Sequence, residues 1–121
     1  MDNKDKSEQG RGAEMEKEMA HIIVEIIEYM PHAVVSRTII KKTTGNITIS
    51  SFAAGEEMAQ KYSAFDTYIQ IIDGQADITI DGKIHKLKLG EGIIIPAHKS
   101  NSFAAEEQFK MISTVIKSGY E

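Results

Sequence analysis

The chain has 121 residues, no cysteine and a formal net charge of −4. That length supports a single hydrophobic core, and the lack of cysteine excludes disulfides, thiolate metal sites and cysteine nucleophiles. A hydrophobic fraction of 41% is ordinary for a globular domain, and no clustered Lys/Arg stripe is present, which argues against a nucleic-acid partner.

Residues 1–13 are charged and Gly-containing and read as a disordered tail. They carry no apolar h-region, so no signal peptide is expected. No apolar run approaches spanning length, so no membrane partner is expected and the reading is cytoplasmic. Met15, Met19, Ile22, Ile23, Ile26, Ile27 and Met30 then recur at helical spacing, which predicts an amphipathic helix over residues 14–30. Pro31 stops it. Its Ile/Met face is too apolar for water and needs cover, from its own domain or from a second subunit.

After Pro31 the pattern turns to strands. Residues 33–42 and 47–52 are rich in β-branched residues, with Thr44, Gly45 and Asn46 as the turn between them. Residues 67–72 form the next strand, closed by Asp73 and Gly74. Residues 76–80 alternate cleanly, and Asp81-Gly82 is the strongest hairpin signal in the chain. Residues 84–89, 93–95, 102–105 and 109–116 supply the remaining strands. The Lys41-Lys42 pair and Lys83, Lys86 and Lys88 read as solvated strand faces. About eight short strands with closely spaced turns predict an all-β sandwich or barrel.

Two stretches carry the motifs: GEEMAQKYSAFDTYIQIIDG, from Gly55 to Gly74, and GEGIIIPAHKSN, from Gly90 to Asn101. The chain resembles the cupins, small jelly-roll barrels of the conserved-barrel type. The first cupin motif places two histidines and a glutamate between its glycines, and Lys61, Ser63 and Thr67 stand at those three positions. The second places a histidine after its Pro-x-Gly turn. Here Pro96 is kept, His98 takes the glycine position and Asn101 takes the histidine position. SAFD at Ser63–Asp66 and FKMIS at Phe109–Ser113 extend the likeness to a single-domain subgroup. The resemblance implies a cupin jelly-roll β-barrel (double-stranded β-helix) over residues 33–118, with the helix added in front, and a homodimer.

A divalent ion needs three or four nitrogen or oxygen ligands converging on one point. A lysine ammonium repels such an ion, and Ser63, Thr67 and Asn101 are weak neutral donors. The leading reading is therefore a non-catalytic module with no tight metal site. Its small organic ligand, carrying an anionic group, would sit among Lys61, Ser63, Asp66, Thr67, Ile69, His98, Asn101 and Phe103, with Ile71 as further apolar lining. Two alternatives stay open. One is a divalent-metal enzyme of dioxygenase or isomerase type, holding Zn, Ni, Mn or Fe through His98 and Asp66. The other is an interaction or regulatory module with a vestigial pocket. Blander roles compete at each residue: Lys61 pairing with Asp66 at the rim, Asp66 capping a turn, His98 as a plain loop histidine.

Overall fold

The computed structural model describes residues 14–120. The expected tail over residues 1–13 lies outside them. Nine strands form two antiparallel sheets packed face to face. The strands are β1 (Val34–Lys42), β2 (Gly45–Phe52), β3 (Glu57–Lys61), β4 (Asp66–Gly74), β5 (Ala76–Ile80), β6 (Lys83–Leu87), β7 (Gly92–Ile95), β8 (Asn101–Ala104) and β9 (Phe109–Ile116). One sheet runs in the order β1-β2-β9-β4-β7 and the other β3-β8-β5-β6. This is the all-β sandwich that the turn spacing predicts. Asp81 and Gly82 both take positive φ, 52° and 85°, between β5 and β6, as a twisted two-residue hairpin requires.

The core lies between the sheets. Residues alternate along each strand, so one set from each sheet faces inward. Phe52, Ile69, Ile71, Phe109 and Met111 from the larger sheet meet Ala76, Ile78, Ile80, Leu87 and Phe103 from the smaller one. Phe52 stacks on Phe109 with ring centroids 4.4 Å apart and tilts against Phe103 at 6.1 Å.

Strand β3 has no counterpart in the sequence reading. Its residues Glu57–Lys61 are mostly exposed, and only Met58 packs against the core. An edge strand with a single inward apolar residue leaves no alternation to read.

The predicted helix over residues 14–30 is absent. This segment is an irregular arm with a turn at Lys17–Glu18 and one short 3₁₀ turn, Ile23–Glu25. Three causes act together. Ile22, Ile23, Val24, Ile26 and Ile27 are β-branched and lose side-chain freedom in a helix. Glu18 sits at φ 61°, which breaks any right-handed run. The arm's carbonyls are also claimed from outside. Arg37 Nη1 donates to Ile26 O at 3.1 Å, Ser51 Oγ to Glu28 O at 3.0 Å, and Lys110 Nζ to Val24 O at 2.5 Å. The arm thus covers the outer face of its own larger sheet, where Ile49 and Ser51 point outward yet are 0% and 1% exposed.

Both ends of the arm are pinned. A register shift between Ile71 and Asp73 turns Asp73 onto the outer face beside Lys110, and Tyr29 Oη donates to its carboxylate at 2.5 Å. Burial, reinforced by Asp73, pushes the Tyr29 hydroxyl well above the usual tyrosine range. At the other end, Met15 N donates to Ile39 O at 2.9 Å, and Glu14 accepts from Lys41 N at 2.8 Å. That backbone bond, with Lys17 and Lys42 nearby, lowers the Glu14 carboxyl from 4.5 to about 2. A depressed carboxyl pKa contributes stability above its unfolded value and loses it as pH falls through the folded one. The first residues of the arm are therefore expected to loosen between pH 4.5 and about 2. Amide exchange at Lys41 and Met15 checks this: exchange should accelerate across that window while the β9 amides stay protected.

Candidate functional site

The two sheets leave a cavity of about 230 Å³ open at one end of the barrel. Lys61, Ser63, Thr67, Ile69, Asn101 and Phe103, from both motifs, line it together. The larger sheet supplies Thr67 and Ile69 from β4, and the smaller sheet supplies Lys61 from β3 and Asn101 and Phe103 from β8. Ser63 sits in the loop between β3 and β4. The remaining walls are Tyr62, Ile95, Met111, Ser113 and Val115. Sequence reasoning missed these five. Met111, Ser113 and Val115 were legible in principle, because period two from inward Phe109 puts them on the same face.

Lys61 reaches this cavity through a β-bulge. On β3, Met58 opposes Phe103, and simple alternation would then place Gln60 opposite Asn101. The register shifts by one residue, so Lys61 opposes Asn101 instead and turns to the inner side. Its ammonium lies 3.3 Å from Met58 Sδ and 5.8 Å from the Phe103 ring centroid. Among the described residues it makes no ion pair, and the cavity lining holds no acidic side chain.

Asn101 is 4% exposed. Its Nδ2 donates to Lys99 O at 3.5 Å, and its Oδ1 is buried with no hydrogen-bond partner. An unpaired buried acceptor costs roughly 1–3 kcal/mol. Turning the amide round would point oxygen at the Lys99 carbonyl, so the lone end is the acceptor.

Asp66 and His98 do not line the cavity. Asp66 Oδ1 accepts from Ala97 N at 2.7 Å, and Asp66 N donates to Tyr120 Oη at 2.7 Å, so this residue ties the β3–β4 loop to the β7–β8 loop and the C-terminal segment. It makes no ion pair with Lys61 among the described residues, and its carboxylate holds the distant Ala97 amide rather than a turn before its own strand. His98 is exposed, and its backbone N donates to Ser63 O at 2.7 Å. It takes φ 67°, the left-handed conformation that suits the glycine of a Pro-x-Gly turn. His98→Gly is expected to raise stability by about 1 kcal/mol, as strain is relieved at modest entropic cost. Urea unfolding checks it, and a clear loss of stability would mean that the imidazole holds the loop.

The site does not fit the metal that such barrels often carry. Among the described residues no three His, Cys, Asp or Glu side chains stand close enough to hold an ion. A lysine, two hydroxyls and a carboxamide at the four motif positions give one repelling cation and three weak donors.

Two antiparallel sheets around a core, open at one end onto a polar-rimmed apolar cavity, define a small jelly-roll barrel. No family model and no curated protein matches the sequence. Solved structures do. A conserved protein of unknown function from Streptococcus pyogenes is 27% identical with a TM-score of 0.82, over 87% of this chain and 92% of its own. A cupin superfamily protein from Desulfitobacterium hafniense DCB-2 is 27% identical with a TM-score of 0.80, over 86% of this chain and 95% of its own. A cupin 2 conserved barrel domain protein from Leptotrichia buccalis is 32% identical with a TM-score of 0.76, over 78% of this chain and 46% of its own. The chain belongs to the cupin superfamily, among the conserved-barrel proteins. Among the described residues, no helix is long and apolar enough to cross a membrane.

Proposed function

We propose that the barrel mouth binds a small organic anion and catalyses no reaction on it. The observation that carries this reading is the Lys61 ammonium, set over the Phe103 wall of the cavity with no acidic side chain among the described residues of the lining. A cation beside a low-dielectric wall attracts an anion more strongly than a fully solvated one does. Ile69, Ile95, Phe103 and Met111 offer an apolar floor for the ligand's body. The lining also lacks a histidine or carboxylate to activate the Ser63, Thr67 or Ser113 hydroxyl, which supports binding over turnover.

Calorimetric titration with a panel of monocarboxylates and their neutral amides tests this. Lys61→Gln is expected to weaken the acids about tenfold and leave the amides unchanged. Acids that bind the variant as tightly as the native chain would overturn the reading. Exposed Met19, Ile22 and Met30 on the arm support the expected homodimer, which light scattering on the eluted protein tests.

A further inference from the structure

We infer that the ligand of this cavity is a 2-hydroxy monocarboxylic acid with a hydrocarbon tail, its carboxylate on Lys61 and its hydroxyl on Asn101. This rests on the anion reading above and goes one step further, to the second polar group of the ligand.

The argument starts from the unpaired acceptor. Asn101 lines the cavity, and its Oδ1 is buried with no hydrogen-bond partner among the described residues. An oxygen in that position calls for a donor, and a carboxylate alone brings none. A ligand with an O–H or N–H besides its anionic group supplies that donor. Strand pairing then brings the two residues together. Lys61 and Asn101 are directly opposed across β3 and β8 with side chains on the same face. Such pairs have Cβ atoms roughly 5 Å apart. Two polar groups rooted this close suit a carboxylate with a donor on the neighbouring carbon better than a donor at the far end of a hydrocarbon tail.

The choice between hydroxyl and ammonium follows from charge. A ligand ammonium on Asn101 would sit beside the Lys61 ammonium, and no acid in the lining offsets the repulsion. A neutral hydroxyl meets no such opposition. Depth orders the rest. Lys61 is exposed and Asn101 is buried, so the carboxylate lies at the rim and the hydroxyl lies below it. The tail then runs onto Ile69 and Met111. A cavity of about 150 Å³ accepts benzene, so 230 Å³ accommodates a phenyl or branched butyl tail with the acid group attached.

Calorimetric titration of the full chain with two matched pairs tests the proposal: mandelate against phenylacetate, and 2-hydroxy-4-methylpentanoate against 4-methylpentanoate. Mandelamide is the uncharged control. The hydroxy acid of at least one pair is expected to bind about tenfold tighter than its deoxy partner. Asn101→Leu, similar in shape and free of the lone acceptor, should erase that preference without weakening the deoxy acid. Lys61→Gln should weaken both acids of a pair equally. Equal binding of hydroxy and deoxy acids to the native chain would overturn this inference and leave the anion site standing. Mandelamide binding as tightly as mandelate, or no binding by any of the acids, would overturn both. If Asn101→Leu does not fold, the native ratio alone decides.

Discussion

Replacing Lys61 and Asn101 together with histidine is expected to raise the affinity for Zn²⁺ or Ni²⁺ by at least about a hundredfold. The two residues face each other across β3 and β8, so two imidazoles placed there can share one ion. The substitution also removes the ammonium that repels a cation from the mouth. Ser63, Thr67 or water can complete the coordination, since both hydroxyls line the same cavity. Titration of the purified variant with either metal, read by calorimetry, measures the gain. Circular dichroism establishes that the variant is folded. A folded double variant with unchanged affinity would mean that Lys61 does not oppose Asn101, and the bulge in β3 would then be misplaced. Adding Thr67→Glu is expected to tighten binding further, because a carboxylate replaces a weak donor on the facing sheet.

That experiment bears on why parts of this protein are legible in its residues and others are not. The hairpin at Asp81-Gly82 is a local matter of two positive φ values, and it is readable from two letters. The convergence of Lys61, Ser63, Thr67 and Asn101 on one cavity is what the resemblance to the cupin motifs implies, because these residues stand at the motifs' ligand positions. The inward turn of Lys61 was not. Strict alternation from Met58 selects Gln60, and only a bulge reverses the choice. Bulges leave no signature in composition. The side-chain chemistry of Asp66 and His98 suggests a site, but the fold uses both for backbone geometry: one accepts the Ala97 amide, and the other adopts a glycine-like turn. The arm's pattern misleads for a further reason. Helical spacing of apolar residues is necessary for an amphipathic helix, yet a run dense in Ile and Val satisfies it by abundance. What decides the conformation is the partner surface. Here that surface is a sheet whose Arg37, Ser51 and Lys110 side chains reach for carbonyls that a helix would have used internally.

The same docking makes the second large effect. Ile27→Asp is expected to release the arm and speed proteolytic cleavage within residues 14–30 about a hundredfold, equivalent to about 3 kcal/mol of lost docking. Ile27 is 5% exposed, and a carboxylate in its place would have to be desolvated without a partner. The chain can escape that cost by lifting the arm into water. The escape has its own cost, because outward-facing Ile49 then loses its cover and Ser51 loses its Glu28 carbonyl. The total loss is therefore capped by the free energy of docking the arm, and the barrel core about Phe52 and Phe109 stays intact. Limited proteolysis read by mass spectrometry measures the release. Hydrogen exchange should rise along the arm and in β1, while β4 and β9 keep their protection. The cavity faces the interior of the barrel and the arm lies on the outside, so ligand affinity should stay within about twofold. An unchanged cleavage rate would show that the arm is not held by its apolar face. Loss of the whole barrel at once would show that arm and barrel unfold as one unit, and that the outer cover is as much a part of the core as the ring stack between the sheets.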